Sequence, residues 1–366
     1  MNRCKLVFYT GIPHSGVTFL FSVLEKNPYM STLMLSDDFF VYLATKESLI
    51  ATRQKGISVY YDIINRLSKK PNFSYPVDKV LSVVLEISKF ICKQDDFFKN
   101  FCKLISKKES LTIYDSIVAV FKAKMLSQGK SIDDNIVPVF FFDSHSRVNA
   151  AIKHKSIINT FENVSFLTSF RNPLYTTASS IKKGYYIDKT VTYNLMRLNF
   201  FGFVQDFSSQ WKEKCYVILF EEAKLFPERT FCAFCDVFDV PYSNEMLTAN
   251  DEGPTCRGYA IRGFDTEPVT RKLDDVFSEK DMMYLSYVYR KVMNKYGYTI
   301  PSGTNNIIDD EMVCSDLFQN AYDKNLIVYD KNDFLKTLIK LEKYGDSLLD
   351  NHFFPYKISA NNSYEN

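Results

Sequence analysis

Four short apolar runs punctuate the chain: Lys5–Tyr9, Val137–Phe142, Val164–Phe170 and Tyr216–Phe220. None alternates polar with apolar positions, and each is followed by a helix-period pattern. Continuous apolar strands separated by helices predict an α/β fold, a parallel sheet flanked by helices. Helical spacing also marks a segment between the first two strands. Val77–Ile91 carries apolar residues at 77, 80, 81, 84, 85 and 87, and Ile113–Met125 at 113, 117, 120, 121 and 125. Residues 37–136 therefore read as a helical insert in an α/β domain spanning 1–300. Further helices are expected over Phe226–Phe238 and Ser278–Tyr296. Residues 301–366 form a C-terminal extension with one amphipathic helix, about Asp333–Leu348, and a polar end. No internal repeat is visible.

The first strand runs straight into Thr10-Gly11-Ile12-Pro13-His14-Ser15-Gly16-Val17-Thr18, and an apolar helix pattern follows. Gly11 and Gly16 are five residues apart, the glycine spacing of a phosphate-binding loop. Such a loop turns backbone N–H groups and a helix N-terminus toward an oxyanion. Val17 stands where a nucleoside-triphosphate loop carries lysine. Without that lysine, Mg²⁺-dependent handling of a triphosphate is not expected. A second block lies further on. The strand Val164–Phe170 ends in Arg171-Asn172-Pro173, and Ser179 follows eight residues after the arginine. Proline suits the first turn of a helix. An arginine at a strand end offers a bidentate fork to a phosphate.

These two blocks, in this order, resemble those of sulfotransferases that use 3′-phosphoadenosine 5′-phosphosulfate (PAPS), a family with a P-loop type of fold. The family's 5′-phosphosulfate loop reads Gly-x-Pro-(Arg/Lys)-(Ser/Thr)-Gly-(Thr/Ser)-Thr. Gly11, Pro13, Ser15, Gly16 and Thr18 match, while His14 and Val17 depart from it. The Arg171…Ser179 block matches the segment that binds the cofactor's 3′-phosphate. Cys215–Glu221 with Phe226-Pro227-Glu228, and the late helix ending Lys295-Tyr296-Gly297-Tyr298, match the family more loosely. The resemblance covers residues 3–36 and about 137–300. It implies PAPS as sulfuryl donor, no metal, and a small-molecule or glycan acceptor. These motifs lie outside the insert 37–136, which is therefore expected to build the acceptor pocket, with a helical layer covering the sheet as the alternative.

Sulfuryl transfer asks for a base beside the acceptor and a donor on the leaving phosphate. His145, just past the second strand, matches the position of the family's catalytic histidine. An imidazole suits that task near neutrality. Asp143 competes, either orienting His145 or acting itself. Asp37 and Asp38 are further candidates, with helix capping as their structural alternative. His14 takes the place of the missing Arg or Lys, and bound anions would favour its charged form. Arg257, Arg262, Arg271 and Lys272 are all candidates to close over the 3′-phosphate. The rival readings are a P-loop kinase or NTPase, with Asp143 holding Mg²⁺, and a nucleotide-binding scaffold that has lost catalysis.

Composition narrows the partners. The 366 residues are 46% hydrophobic and 24% charged, with a net charge of +2, which gives no case for nucleic acid. No apolar stretch reaches the ~18 residues of a membrane span. The first strand begins at Lys5, leaving no room for a secretory signal, so a cytoplasmic protein is expected. The eight cysteines are scattered. Cys232 and Cys235 form a lone Cys-x-x-Cys, expected to be two thiols one turn apart on a buried helix face rather than a metal site.

Overall fold

The computed structural model describes residues 4–9, 15–33, 96, 99–100, 103–104, 113–131, 136–143, 161–182, 215–248, 263–295 and 297–299. The chain order is β1 (Lys5–Tyr9), α1 (Val17–Leu24), β2 (Met30–Leu33), α2 (Ile113–Ser127), β3 (Val139–Asp143) and β4 (Asn163–Phe170). Then come α3 (Pro173–Ile181), β5 (Cys215–Leu219), α4 (Phe220–Leu225), α5 (Pro227–Val237), a 3₁₀ turn (Asn244–Thr248), α6 (Glu267–Thr270) and α7 (Glu279–Lys295). The strands form one sheet in the order β2-β3-β1-β4-β5. The β1–β3, β1–β4 and β2–β3 pairings are parallel. The α/β class with a parallel sheet is therefore as expected. The non-sequential order means that the strands are joined by crossovers, as parallel pairing requires.

The chain divides into two compact units. The first comprises residues 1–10, 18–167 and 227–264. In its sheet β1 is central, and Leu6, Val7, Phe8 and Tyr9 are all buried, so apolar side chains on both faces of the strand are covered. Phe140 stacks on Phe121 of α2 with ring centroids 4.5 Å apart, while Phe141 packs against Phe234 and Phe238. The phenylalanine run Phe140-Phe141 thus serves helices through opposite faces of one strand. Asn27, after α1, donates to Pro241 O at 2.9 Å and accepts from Tyr29 N at 2.9 Å, shaping the turn into β2.

The same unit holds a buried charge cluster. Glu25 Oε1 accepts from Lys124 Nζ at 2.5 Å, from Thr32 Oγ1 at 2.7 Å and from Thr32 N. Its Oε2 accepts from Gln128 Nε2 at 2.8 Å and faces Lys130 Nζ at 3.5 Å. Burial alone would raise this carboxyl, but Lys124, Lys130 and Thr32 hold it down at about 2. Lys124 also donates to Thr32 O, and Lys130 to Met30 O at 2.7 Å. The end of α1, the edge strand β2 and α2 are thereby tied by one carboxylate.

The second unit comprises residues 11–17, 168–226 and 265–366. It includes the end of β4, α3, β5, α4, α6 and α7. Leu174 and Ala178 of α3 join Phe277, Leu285, Tyr289 and Met293 in its core. Helix α7 starts from a capping box: Asp281 N donates to Ser278 Oγ at 3.2 Å and Ser278 N to Asp281 Oδ2 at 3.0 Å. Two elements differ from the sequence reading. Phe220 and Glu221, expected to finish a strand, open helix α4 instead. Strand β2 was not anticipated. The helix expected over 113–125 forms as α2, whereas those over 77–91 and 333–348 lie outside the described residues.

Candidate functional site

The second unit gathers parts of both phosphate-type blocks. Gly16 leads into α1 with φ +96°, a left-handed conformation that suits glycine. A Cβ at Gly16 would collide with the ring of Phe220, the first residue of α4. The loop therefore presses its bare backbone on that ring, and even an alanine would have to displace it. The Arg171 guanidinium carbon lies 4.9 Å from the centroid of the same ring, within cation–π range. Phe220 thus touches both the loop glycine and the strand-end arginine. Lys224 Nζ is 5.6 Å from its centroid.

Ser15 is fully buried, with its Oγ 2.9 Å from Ser169 Oγ. Ser169 Oγ donates to Ser15 O at 3.0 Å. With that proton committed, the Ser15 hydroxyl is the donor between the two side chains. The pair fastens the loop to the end of β4, one residue pair before Arg171. Val17 is buried, so the position that holds lysine in triphosphate loops here packs inward. Thr18 is half-buried in the first turn of α1.

Arg171 is buried and donates from Nη2 to Pro268 O at 2.5 Å. Burial pushes its guanidinium down to about 10; Glu221 opposes that shift and Arg271 reinforces it. Arg271 donates to Tyr175 O at 3.4 Å, and its Nε is buried with no hydrogen-bond partner among the described residues. Burial thus disfavours the Arg171 charge, and the nearby Arg271 adds to that through like-charge repulsion. Lys272, next in sequence, is exposed.

Asn172 caps α3, its Oδ1 accepting from Leu174 N at 3.0 Å. Its own N–H donates to Glu221 Oε1 at 2.9 Å, and Tyr298 Oη donates to Glu221 Oε2 at 2.8 Å. Burial raises the Glu221 carboxyl, against these hydrogen bonds and Arg171. Ser179 is half-buried on α3.

The structure therefore brings Ser15, Gly16 and Arg171 together through Phe220 and Ser169, with Arg271 close enough to Arg171 to repel its charge. Asp143 ends β3, in register with Tyr9 at the end of β1. Gly11, Pro13, His14, Asp37, Asp38, His145, Arg257 and Arg262 lie outside the described residues. Sequence reasoning missed Phe220, Ser169 and the Glu221–Tyr298 pair. Glu221 and Tyr298 fall in the loosely matching segments, which was the only available signal. Cys232 and Cys235 are free thiols, and burial pushes Cys235 up to about 12, so neither is poised for redox chemistry. Among the described residues no cluster of His, Cys, Asp and Glu could hold a metal, and no helix is long and apolar enough to cross a membrane.

No family model and no curated protein matches the sequence. Solved structures do. The sulfotransferase domain of the olefin synthase from Synechococcus PCC 7002 superposes with a TM-score of 0.51 at 11% identity, over 82% of this chain and 97% of that domain. The sulfotransferase domain of the curacin biosynthetic pathway gives a TM-score of 0.49 at 12% identity, over 82% of this chain and 100% of that domain. At such identity the likeness speaks for architecture. The chain has a sulfotransferase-like α/β fold.

Proposed function

We propose that this protein is a PAPS-dependent sulfotransferase acting on a hydroxyl or amine of a small-molecule or glycan acceptor. The observation that carries the reading is the shared contact of Phe220 with Gly16 and Arg171. A phosphate loop lacking the triphosphate lysine and a buried arginine at a strand end are held by one ring. That suits a ligand with two separate phosphate groups better than a triphosphate with its metal.

The residues fit such a ligand. The loop 11–18 would offer backbone N–H groups to the 5′-phosphosulfate, with His14 as the hydrogen-bond donor beside it. Arg171 and Ser179 would take the 3′-phosphate. Of the four later basic candidates, Arg271 is favoured by its coupling to Arg171 and its buried Nε. PAPS, when bound, supplies the sulfuryl group. An imidazole nitrogen of His145 takes the proton from the acceptor, with Asp143, Asp37 and Asp38 as the competing bases.

The test is transfer of radiolabelled sulfuryl from PAPS to a panel of glycans, phenols and lipids, with EDTA present. Labelled product is expected from wild type. Rates about 10²-fold lower are expected from His145→Ala, with cofactor affinity retained. Normal turnover in His145→Ala with loss in one aspartate-to-asparagine variant would move the base to that carboxylate. Bisphosphate binding with no transfer to any acceptor would leave a nucleotide-binding scaffold.

A further inference from the structure

We propose that Glu221 is the positioning residue of the phosphate clamp: its carboxylate, steadied by Tyr298, fixes the Arg171–Asn172 peptide from which the clamp extends. The inference rests on the proposed function, because it takes the ligand of Arg171 to be the 3′-phosphate.

Arg171 and Ser179 belong to different elements, a strand end and a helix. Their relative placement depends on the peptide that joins them. That peptide's N–H, at Asn172, donates to Glu221 Oε1 at 2.9 Å. Asn172 then caps α3 with its own side chain, so the same residue sets the direction of the helix bearing Ser179. Glu221 is in turn held at its other oxygen by Tyr298 Oη at 2.8 Å. Tyr298 stacks on Phe170, the residue before Arg171, with centroids 6.2 Å apart. Two side chains therefore grip both neighbours of Arg171, while the arginine itself donates to Pro268 O and lies over the Phe220 ring.

The carboxylate is an unusual choice for this task. Among the described residues it accepts from two neutral donors and forms no ion pair. A charge kept where its environment disfavours it is costly to stability and is retained where geometry requires it. Glutamate has the reach to accept from a backbone N–H with one oxygen and from a phenol with the other. Phe220, one residue earlier, packs on the loop and on Arg171. The first turn of α4 thus supports both ends of the candidate site by consecutive side chains.

Positioning and simple counter-charge make opposite demands on two conservative variants. Glu221→Gln keeps the reach and an acceptor oxygen but removes the charge. Glu221→Asp keeps the charge but withdraws the carboxylate by one methylene. The readout is the ratio of dissociation constants for adenosine 5′-monophosphate and adenosine 3′,5′-bisphosphate, measured by calorimetry on the full chain. It isolates the 3′-phosphate, whereas general loosening of the protein weakens both ligands alike. Wild type is expected to prefer the bisphosphate. Glu221→Asp should reduce the preference by about tenfold, Tyr298→Phe by about threefold, and Glu221→Gln should keep it within about threefold. Near-wild-type circular dichroism checks that each variant is folded. Loss in Glu221→Gln with retention in Glu221→Asp would overturn the proposal in favour of a counter-charge. An unchanged ratio in all three would overturn it outright. A wild type with no preference for the bisphosphate removes the proposed function itself, and this inference with it.

Discussion

Glu25 and Glu221 make an instructive pair, one in each compact unit. Glu25 is buried and meets Lys124 Nζ at 2.5 Å, with Lys130 behind it. Its two lysines also donate to Thr32 O and Met30 O, and its carboxyl is held down at about 2. Glu221 is partly exposed, accepts from a backbone N–H and a phenol, and has its carboxyl raised by desolvation. The cations near it are engaged elsewhere: Arg171 on Pro268 O and the Phe220 ring, Arg271 on Tyr175 O. A closed ion cluster joins elements and binds nothing further. Around Glu221 the donors are a backbone N–H and a phenol, and the nearby Arg171 is where the proposed function places a phosphate. The difference separates architecture from a candidate site more sharply than charge content does.

The largest expected effect tests the closed cluster. Glu25→Gln leaves Lys124 buried without its counter-ion and should destabilise the protein by about 3–5 kcal/mol. Glu221→Gln removes a charge that its surroundings disfavour, so its stability should match or exceed wild type at neutral pH. Urea denaturation of both variants checks the contrast, and equal losses would erase it. Next in size is the effect on binding. Arg171→Ala should weaken adenosine 3′,5′-bisphosphate by about 2–3 kcal/mol, and Ser179→Ala by about 1 kcal/mol, as a charged donor outweighs a hydroxyl. Titration calorimetry measures both, and negligible effects from both would make the block structural.

The smallest effect is in pH dependence, and its sign differs between the two sites. The Glu25 carboxyl is lowered from 4.5 to about 2, so its contribution is present above about 4.5 and is lost as pH falls toward 2. The Glu221 carboxyl is raised, so its charged form opposes folding at neutral pH and protonation relieves that opposition. Denaturation midpoints across acid pH should fall less steeply in Glu25→Gln than in wild type. Any advantage of Glu221→Gln should shrink as pH falls.

The legible parts of this molecule were those written in contiguous residues. Strands β1, β3, β4 and β5 announce themselves because apolar side chains on both faces leave no alternation to misread. Arg171 and Gly16 were legible because their pattern is local: a glycine with positive φ, an arginine at a strand end, a proline opening the helix. Strand β2 was not, because Ser31 and Thr32 are polar yet buried at the sheet edge, Thr32 bonding to Glu25. The Glu25 cluster joins residues about a hundred positions apart, and Ser15 meets Ser169 across 154. No periodicity encodes such pairings. Phe220 was misread for a physical reason: an aromatic after an apolar run has every mark of a strand, and only the glycine facing it shows that it opens a helix as a packing platform.

The central claim is that the cluster around Arg171 binds a bisphosphorylated nucleotide without metal. Calorimetric titration with adenosine 3′,5′-bisphosphate, with and without EDTA and beside Mg·ATP, tests it most directly. Saturable binding of the bisphosphate unchanged by EDTA, and lost or weakened in Arg171→Ala, is the predicted result. Tight Mg·ATP binding with no response to the bisphosphate would contradict it.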